Sequence, residues 1–140
     1  VPDPASFAAA LDAVGGLVDV ELARIGIGPE RCVVGGFSQG GFLALALATR
    51  RDAPAFAGVW AMCCAGPEVA GIELDPAAVP GRALVQFGTR DPIITPDRTR
   101  AAAATLEEAG WQVRLEGYDM AHSQTIEMMV DARDWLAAIP

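Results

Sequence analysis

Residues 31–49 read Arg31-Cys32-Val33-Val34-Gly35-Gly36-Phe37-Ser38-Gln39-Gly40-Gly41-Phe42-Leu43-Ala44-Leu45-Ala46-Leu47-Ala48-Thr49, and this stretch decides the fold. Arg31 to Phe37 is a short apolar run rich in β-formers, and a helical stretch runs from the glycines to about Thr49. Between them stands Ser38-Gln39-Gly40-Gly41, so the sequence predicts strand, sharp turn, helix.

The same alternation continues outward. Asp3 followed by Pro4 is a helix start, and Phe7, Leu11, Val14, Val18, Leu22 and Ile25 recur at the spacing of one buried face until Gly26 and Gly28 stop it. Gly58 to Cys64 and Ala83 to Gly88 read as buried strands, with a loop expected over Ala65 to Gly81. Thr95-Pro96 predicts the start of a further helix, which Gly110 closes. Trp111 to Glu116 reads as the last strand, and His122 falls in the loop after it. A final helix is expected from about Ser123 to Ile139, with Ile126, Met129, Val130 and Leu136 on its buried face. Strands alternating with long helices require crossovers, so the expected fold class is α/β: a parallel sheet of about four strands covered by helices. No repeat or linker divides the chain, and residues 1–140 read as a single domain.

Composition narrows the chemistry. A net charge of −8 argues against nucleic acid or an anionic membrane as partner. All ten basic residues are Arg, which excludes Schiff-base chemistry, a Ser-Lys dyad and a phosphate-binding lysine. The densest apolar run, Phe42 to Ala48, is far shorter than the roughly 20 residues of a membrane span, and no targeting signal is visible. Cys32, Cys63 and Cys64 show no C-x-x-C spacing and have no second histidine to complete a zinc site. They read as buried, reduced thiols within strands, which suggests a cytoplasmic compartment.

Gly36-Phe37-Ser38-Gln39-Gly40 is a G-x-S-x-G pattern, of which roughly 0.04 copies are expected by chance among three serines in a chain this glycine-rich. It gains weight from its setting, because a nucleophilic serine must stand on a strained strand-to-helix turn. The competing interpretation, a phosphate-binding turn, would call for G-x-G-x-x-G spacing or a lysine. A serine hydroxyl needs a base and the base needs a carboxylate. His122 is the only histidine, on the same sheet edge as Ser38. Among the ten aspartates, Asp91 follows the strand ending at Gly88 and lies at that edge; Asp119 is the alternative, close to His122 but out of the order Ser, Asp, His. Either aspartate, or the histidine, could instead be an ordinary surface or core residue.

With these residues in hand, the chain resembles the phospholipase/carboxylesterase branch of the α/β-hydrolases, which includes acyl-protein thioesterases and small bacterial esterases. The resemblance rests on GGFSQGG at 35–41, GTRDPIIT at 88–95, YDMAHS at 118–123 and the helix end ELARIGIGPER at 21–31. It implies Ser38 as nucleophile, Asp91 as acid, His122 as base and the Gln39 backbone N–H as one oxyanion donor, with no metal or cofactor. The reaction it implies is cleavage of carboxylic esters or thioesters through an acyl-enzyme. Trp60, Met62, Ile93, Ile94 and Met120 would lie near the site and could line an acyl pocket or serve as core.

Two departures stand out. Ala121 occupies a place where the family commonly has glycine. More important, nothing before Ser38 matches the strands and H-G-x-G-like loop with which the family begins, so the resemblance covers only the later part of the fold. Losing an oxyanion donor costs about 10²- to 10³-fold in turnover. The 31–37 strand would also be an exposed apolar edge, open to pairing with a missing N-terminal chain or a second copy. Rival readings are a peptidase or lipase on the same fold, or a non-catalytic assembly domain.

Overall fold

The computed structural model describes residues 3–66, 75 and 79–140; most of the loop expected over 65–81 lies outside them. Helix α1, Pro4–Ile25, starts at Asp3, whose carboxylate accepts the Ser6 N–H at 2.8 Å, and ends at Gly26 with φ 73°. That left-handed cap favours glycine, which has no Cβ to collide with the preceding turn. Phe7, Leu11 and Leu22 are buried as the periodicity predicts, whereas Ile25 is exposed.

Strand β1, Val33–Phe37, leads into α2, Gln39–Thr49. Almost every α2 side chain from Phe42 onward is buried, which explains a sequence apolar all round: the helix lies inside the molecule, with no water-facing stripe. Strands β2, Gly58–Met62, and β3, Arg82–Gly88, follow, then α3, Pro96–Glu108, β4, Gln112–Tyr118, and α4, Ile126–Ala137. The sheet order is β1-β2-β3-β4 and all three pairings are parallel. Among the described residues, β1 and β4 are its edges.

Side chains alternate across this sheet and divide the core in two. Val34, Val59, Ala61, Ala83 and Val85 face the main cluster, built with Phe7 and Leu11 of α1, most of α2 and Leu106 of α3. Phe37, Trp60, Met62 and Tyr118 face the opposite side and meet Met128 of α4. Three helices thus cover one face and α4 the other.

Several boundaries and one face differ from expectation. β2 stops at Met62, because Cys63 turns to φ 48°. The cysteines therefore flank strands rather than sit in them. β4 begins after Trp111, which packs into the main core instead, and runs on to Tyr118. α4 begins at Ile126, capped by Thr125, not at Ser123. Its buried face is Met128 and Ala132, while Ile126 is 85 % exposed and Val130 and Leu136 are exposed as well. The reason lies across the sheet. Fully buried Gln86 donates to the Met128 carbonyl at 2.8 Å and to the Tyr118 hydroxyl at 2.7 Å, and Tyr118 donates to Asp131 at 2.8 Å. This polar network fixes the rotation of α4, and Ile126, Met129 and Val130 line an open groove of about 360 Å³ with Arg133.

Candidate active site

Ser38 occupies the step between β1 and α2 with φ 53° and ψ −117°, a backbone conformation that costs a non-glycine residue about 1–3 kcal/mol. The surroundings enforce it. The Ser38 N–H donates to the Met62 carbonyl at 2.8 Å, extending the β1–β2 ladder past the strand end, while its own carbonyl accepts from Gly41 at 3.0 Å and Phe42 at 3.2 Å. A Cβ at Gly36 would collide with the Gly40 backbone, its Cα at 2.8 Å, and one at Gly41 would meet Cys64 Sγ at 2.7 Å. Gly40 has open space at the corresponding point.

The other two residues arrive on loops that are stitched together. Gly88 ends β3, and a Cβ there would run into the carbonyls of Met120 and Ala121. Beyond it the Thr89 N–H donates to the Tyr118 carbonyl at 2.8 Å and the Arg90 N–H to that of Met120 at 3.1 Å. Asp91 and His122 are carried on these two strapped segments. His122 Nδ1 lies 2.7 Å from Asp91 Oδ2, and His122 Nε2 lies 2.9 Å from Ser38 Oγ.

The protonation pattern follows from the partners. Burial of Asp91, whose side chain is fully enclosed, pushes its pKa up, but the hydrogen bonds from His122, Ile94 and Ile93 outweigh this and hold it below 3.8. The two backbone donors reach Oδ1 at 2.8 Å from Ile93 and 2.9 Å from Ile94. An ionised carboxylate can only accept, so Nδ1 carries the imidazole proton and Nε2 is left to accept from the serine hydroxyl. Phe37 packs against the imidazole with ring centroids 4.9 Å apart, and the His122 side chain keeps 15 % exposure, enough for a reacting group to reach it. A serine so placed can attack an electrophilic carbon while its proton passes to histidine.

Asp119, the alternative acid, points elsewhere: its carboxylate pairs with Arg90 at 2.6 Å and is largely in solvent. Of the apolar residues expected near the site, Ile94 belongs to the main core, Met62 and Met120 to the smaller cluster, and Trp60 donates its Nε1 to Gln86 at 2.7 Å. Ile93 is exposed beside Asp91. Gln39 is the first residue of α2, so its N–H belongs to the first turn, where amides have no acceptor within the helix.

Cys63, read from the sequence as a buried thiol, also stands beside these residues. Cys63 Sγ, Asp91 and His122 place ligand-type atoms within 4.8 Å of one another. Burial pushes the Cys63 thiol pKa up, as does the Asp91 charge, and the thiol donates to the Ser123 carbonyl at 3.5 Å. Only its position directly after a strand on the reactive edge could have flagged it.

A parallel sheet whose first strand turns sharply onto a helix at a serine, with acid and histidine delivered by later strand ends, defines an α/β-hydrolase fold. Residues 2–139 match the family model described as phospholipase/carboxylesterase, and the chain belongs to that family. Among solved structures it is similar to SOBER1 of Arabidopsis thaliana, at 25 % identity and a TM-score of 0.81 over 98 % of this chain and 66 % of that one. The Bacillus cereus carboxylesterase shares the fold at 18 % identity and a TM-score of 0.83, over 96 % of this chain and 62 % of that one. The Dyadobacter fermentans phospholipase/carboxylesterase does so at 23 % identity and 0.75, over 94 % and 63 %. This chain therefore spans just under two thirds of the length of these structures. No curated protein sequence matches it.

Proposed function

We propose that residues 1–140 form a partial hydrolase domain that cleaves carboxylic esters or thioesters through an acyl-enzyme on Ser38. The observation that carries this reading is the continuous hydrogen-bonded line from Ser38 through His122 to Asp91, at 2.9 and 2.7 Å. His122 takes the Ser38 proton as the alkoxide attacks the carbonyl, and Asp91 stabilises the imidazolium that results. The Gln39 N–H is assigned to the oxyanion. Proton return from His122 expels the alcohol or thiol, and water activated by the same base releases the acid. Ile93, exposed at the site's rim, is the residue of the five that this reading gives to the acyl chain.

A second reading is favoured by one observation: among the described residues β1 has a sheet partner only on its β2 side, and a groove of about 320 Å³ runs beside it, lined by Val14, Val18, Val33, Gly40, Leu43 and Leu47 among others. In this reading the chain is an assembly domain whose β1 edge must take a further strand, from an N-terminal chain or a second copy, before it turns over. A reducing, cytoplasmic setting belongs to the same proposal, supported by the reduced thiols of Cys32 and Cys63. Among the described residues no helix is long and apolar enough to cross a membrane.

Turnover of a short-chain p-nitrophenyl ester, measured beside Ser38→Ala, tests the first reading. Activity lost in the variant supports it. If neither hydrolyses the ester but a fluorophosphonate still labels Ser38, the assembly reading gains; absence of labelling as well would overturn the hydrolase assignment.

A further inference from the structure

Cys63 is one of three non-glycine residues with positive φ among those described, at 48°, and its backbone turns just where β2 ends beside the triad. Such strain persists only where surrounding structure over-determines it, and it concentrates at functional positions. Here the N–H of Cys63 donates to the Gln86 carbonyl at 2.8 Å, and Thr99 of α3 holds the next carbonyl, that of Cys64, at 2.9 Å. The turn is thereby fixed. Its thiol is brought from the β2 end to the same 4.8 Å cluster as the carboxylate from the β3 end and the imidazole from beyond β4.

We propose that Cys63, Asp91 and His122 form an inhibitory site for a thiophilic divalent cation of the zinc class. Sulfur, imidazole nitrogen and carboxylate oxygen are the three ligand types that zinc accepts, and three protein ligands leave a fourth position for water. Charge favours the ion too: a thiolate and a carboxylate together neutralise a dication, so the enclosed cluster carries no net charge. Magnesium and calcium, which prefer oxygen donors, are not expected to compete.

The Cys63 thiol proton leaves to solvent. The proton on His122 Nδ1 moves to Nε2 as the metal takes the Nδ1 lone pair, and the bond to Asp91 Oδ2 is replaced by two bonds to the metal. His122 then presents Nε2–H to Ser38 and has no lone pair with which to accept its proton. This last consequence rests on the hydrolase reading; metal binding itself does not.

Cobalt(II), a spectroscopic substitute for zinc, separates the two. Titrated into the intact chain, it is expected to give a thiolate-to-cobalt charge-transfer band at one equivalent, unchanged in Ser38→Ala and Cys32→Ser, abolished in Cys63→Ser and weakened at least tenfold in His122→Gln. Circular dichroism matched to the parent establishes that the variants fold. No band, or a band that survives Cys63→Ser, overturns the site. With zinc bound, fluorophosphonate labelling of Ser38 is expected to fall by about 10³-fold or more, on the scale of the roughly 10⁴-fold penalty for a wrongly protonated triad histidine, and to return on chelation. A cobalt band without slower labelling would retain the metal site and overturn its inhibitory role.

Discussion

Asp91 is held at both ends of one carboxylate, and each of its oxygens has separate partners. Oδ1 is occupied by the amides of Ile93 and Ile94, which fix the loop, and Oδ2 by His122. Asp91→Asn keeps the shape but offers its partners an amide, and turnover is expected to fall by about 10³- to 10⁴-fold in steady-state kinetics. Its depressed pKa also has a thermodynamic sign. The folded state holds this carboxylate ionised below 3.8, so its contribution to stability is complete above that pH and is lost as the pH falls through the lower folded value. Urea midpoints measured between pH 5 and pH 2.5 should therefore decline more steeply for the parent than for Asp91→Asn; parallel acid limbs would contradict this.

Among elements, the turn from β1 to α2 and the docking of α4 set the site by different means. The turn depends on absent side chains. Gly36→Ala forces a methyl group into the Gly40 backbone and should cost about 1–3 kcal/mol by denaturant titration, whereas Gly40→Ala meets nothing within 4 Å and should be neutral or slightly stabilising. Docking of α4 depends on Gln86, which joins Trp60, Tyr118 and Met128 at 2.7 to 2.8 Å. Gln86→Leu takes the acceptor from Trp60 Nε1–H and a donor from the Met128 carbonyl and the Tyr118 hydroxyl, which keeps its bond to Asp131, with an expected loss of about 1–3 kcal/mol. These two elements also mark the reach of sequence reasoning. Glycine and serine at fixed offsets reveal the turn, since its geometry is local and leaves a local signature, and the α/β alternation reveals the sheet. The rotation of α4 was illegible because a buried glutamine 42 residues away sets it, overriding the more apolar face of Ile126, Met129 and Val130. Cys63, read from the sequence as a buried thiol, gave no sign of its place beside Asp91 and His122 for a related cause: the three are near only in space.

At the scale of the whole molecule, β1 has no strand opposite β2 among the described residues. An apolar strand with unpaired backbone groups on one side is a template for another chain. Light scattering is expected to show concentration-dependent self-association of the isolated chain, suppressed by Val33→Lys, which puts a charge beside the exposed edge. A monomer at every concentration would remove the second-copy form of the assembly reading. A longer chain or partner that fills this edge would instead make the protein monodisperse and raise turnover together.

The straps between the acid and histidine loops, Thr89 to Tyr118 and Arg90 to Met120, leave Ser38 alone on the far side of β2. Fraying of the outer strand therefore removes the serine from a dyad that stays assembled. In proton NMR, the Nδ1 hydrogen shared with Asp91 should stay far downfield on warming, after the amides of Val33 to Phe37 have already begun to exchange with solvent.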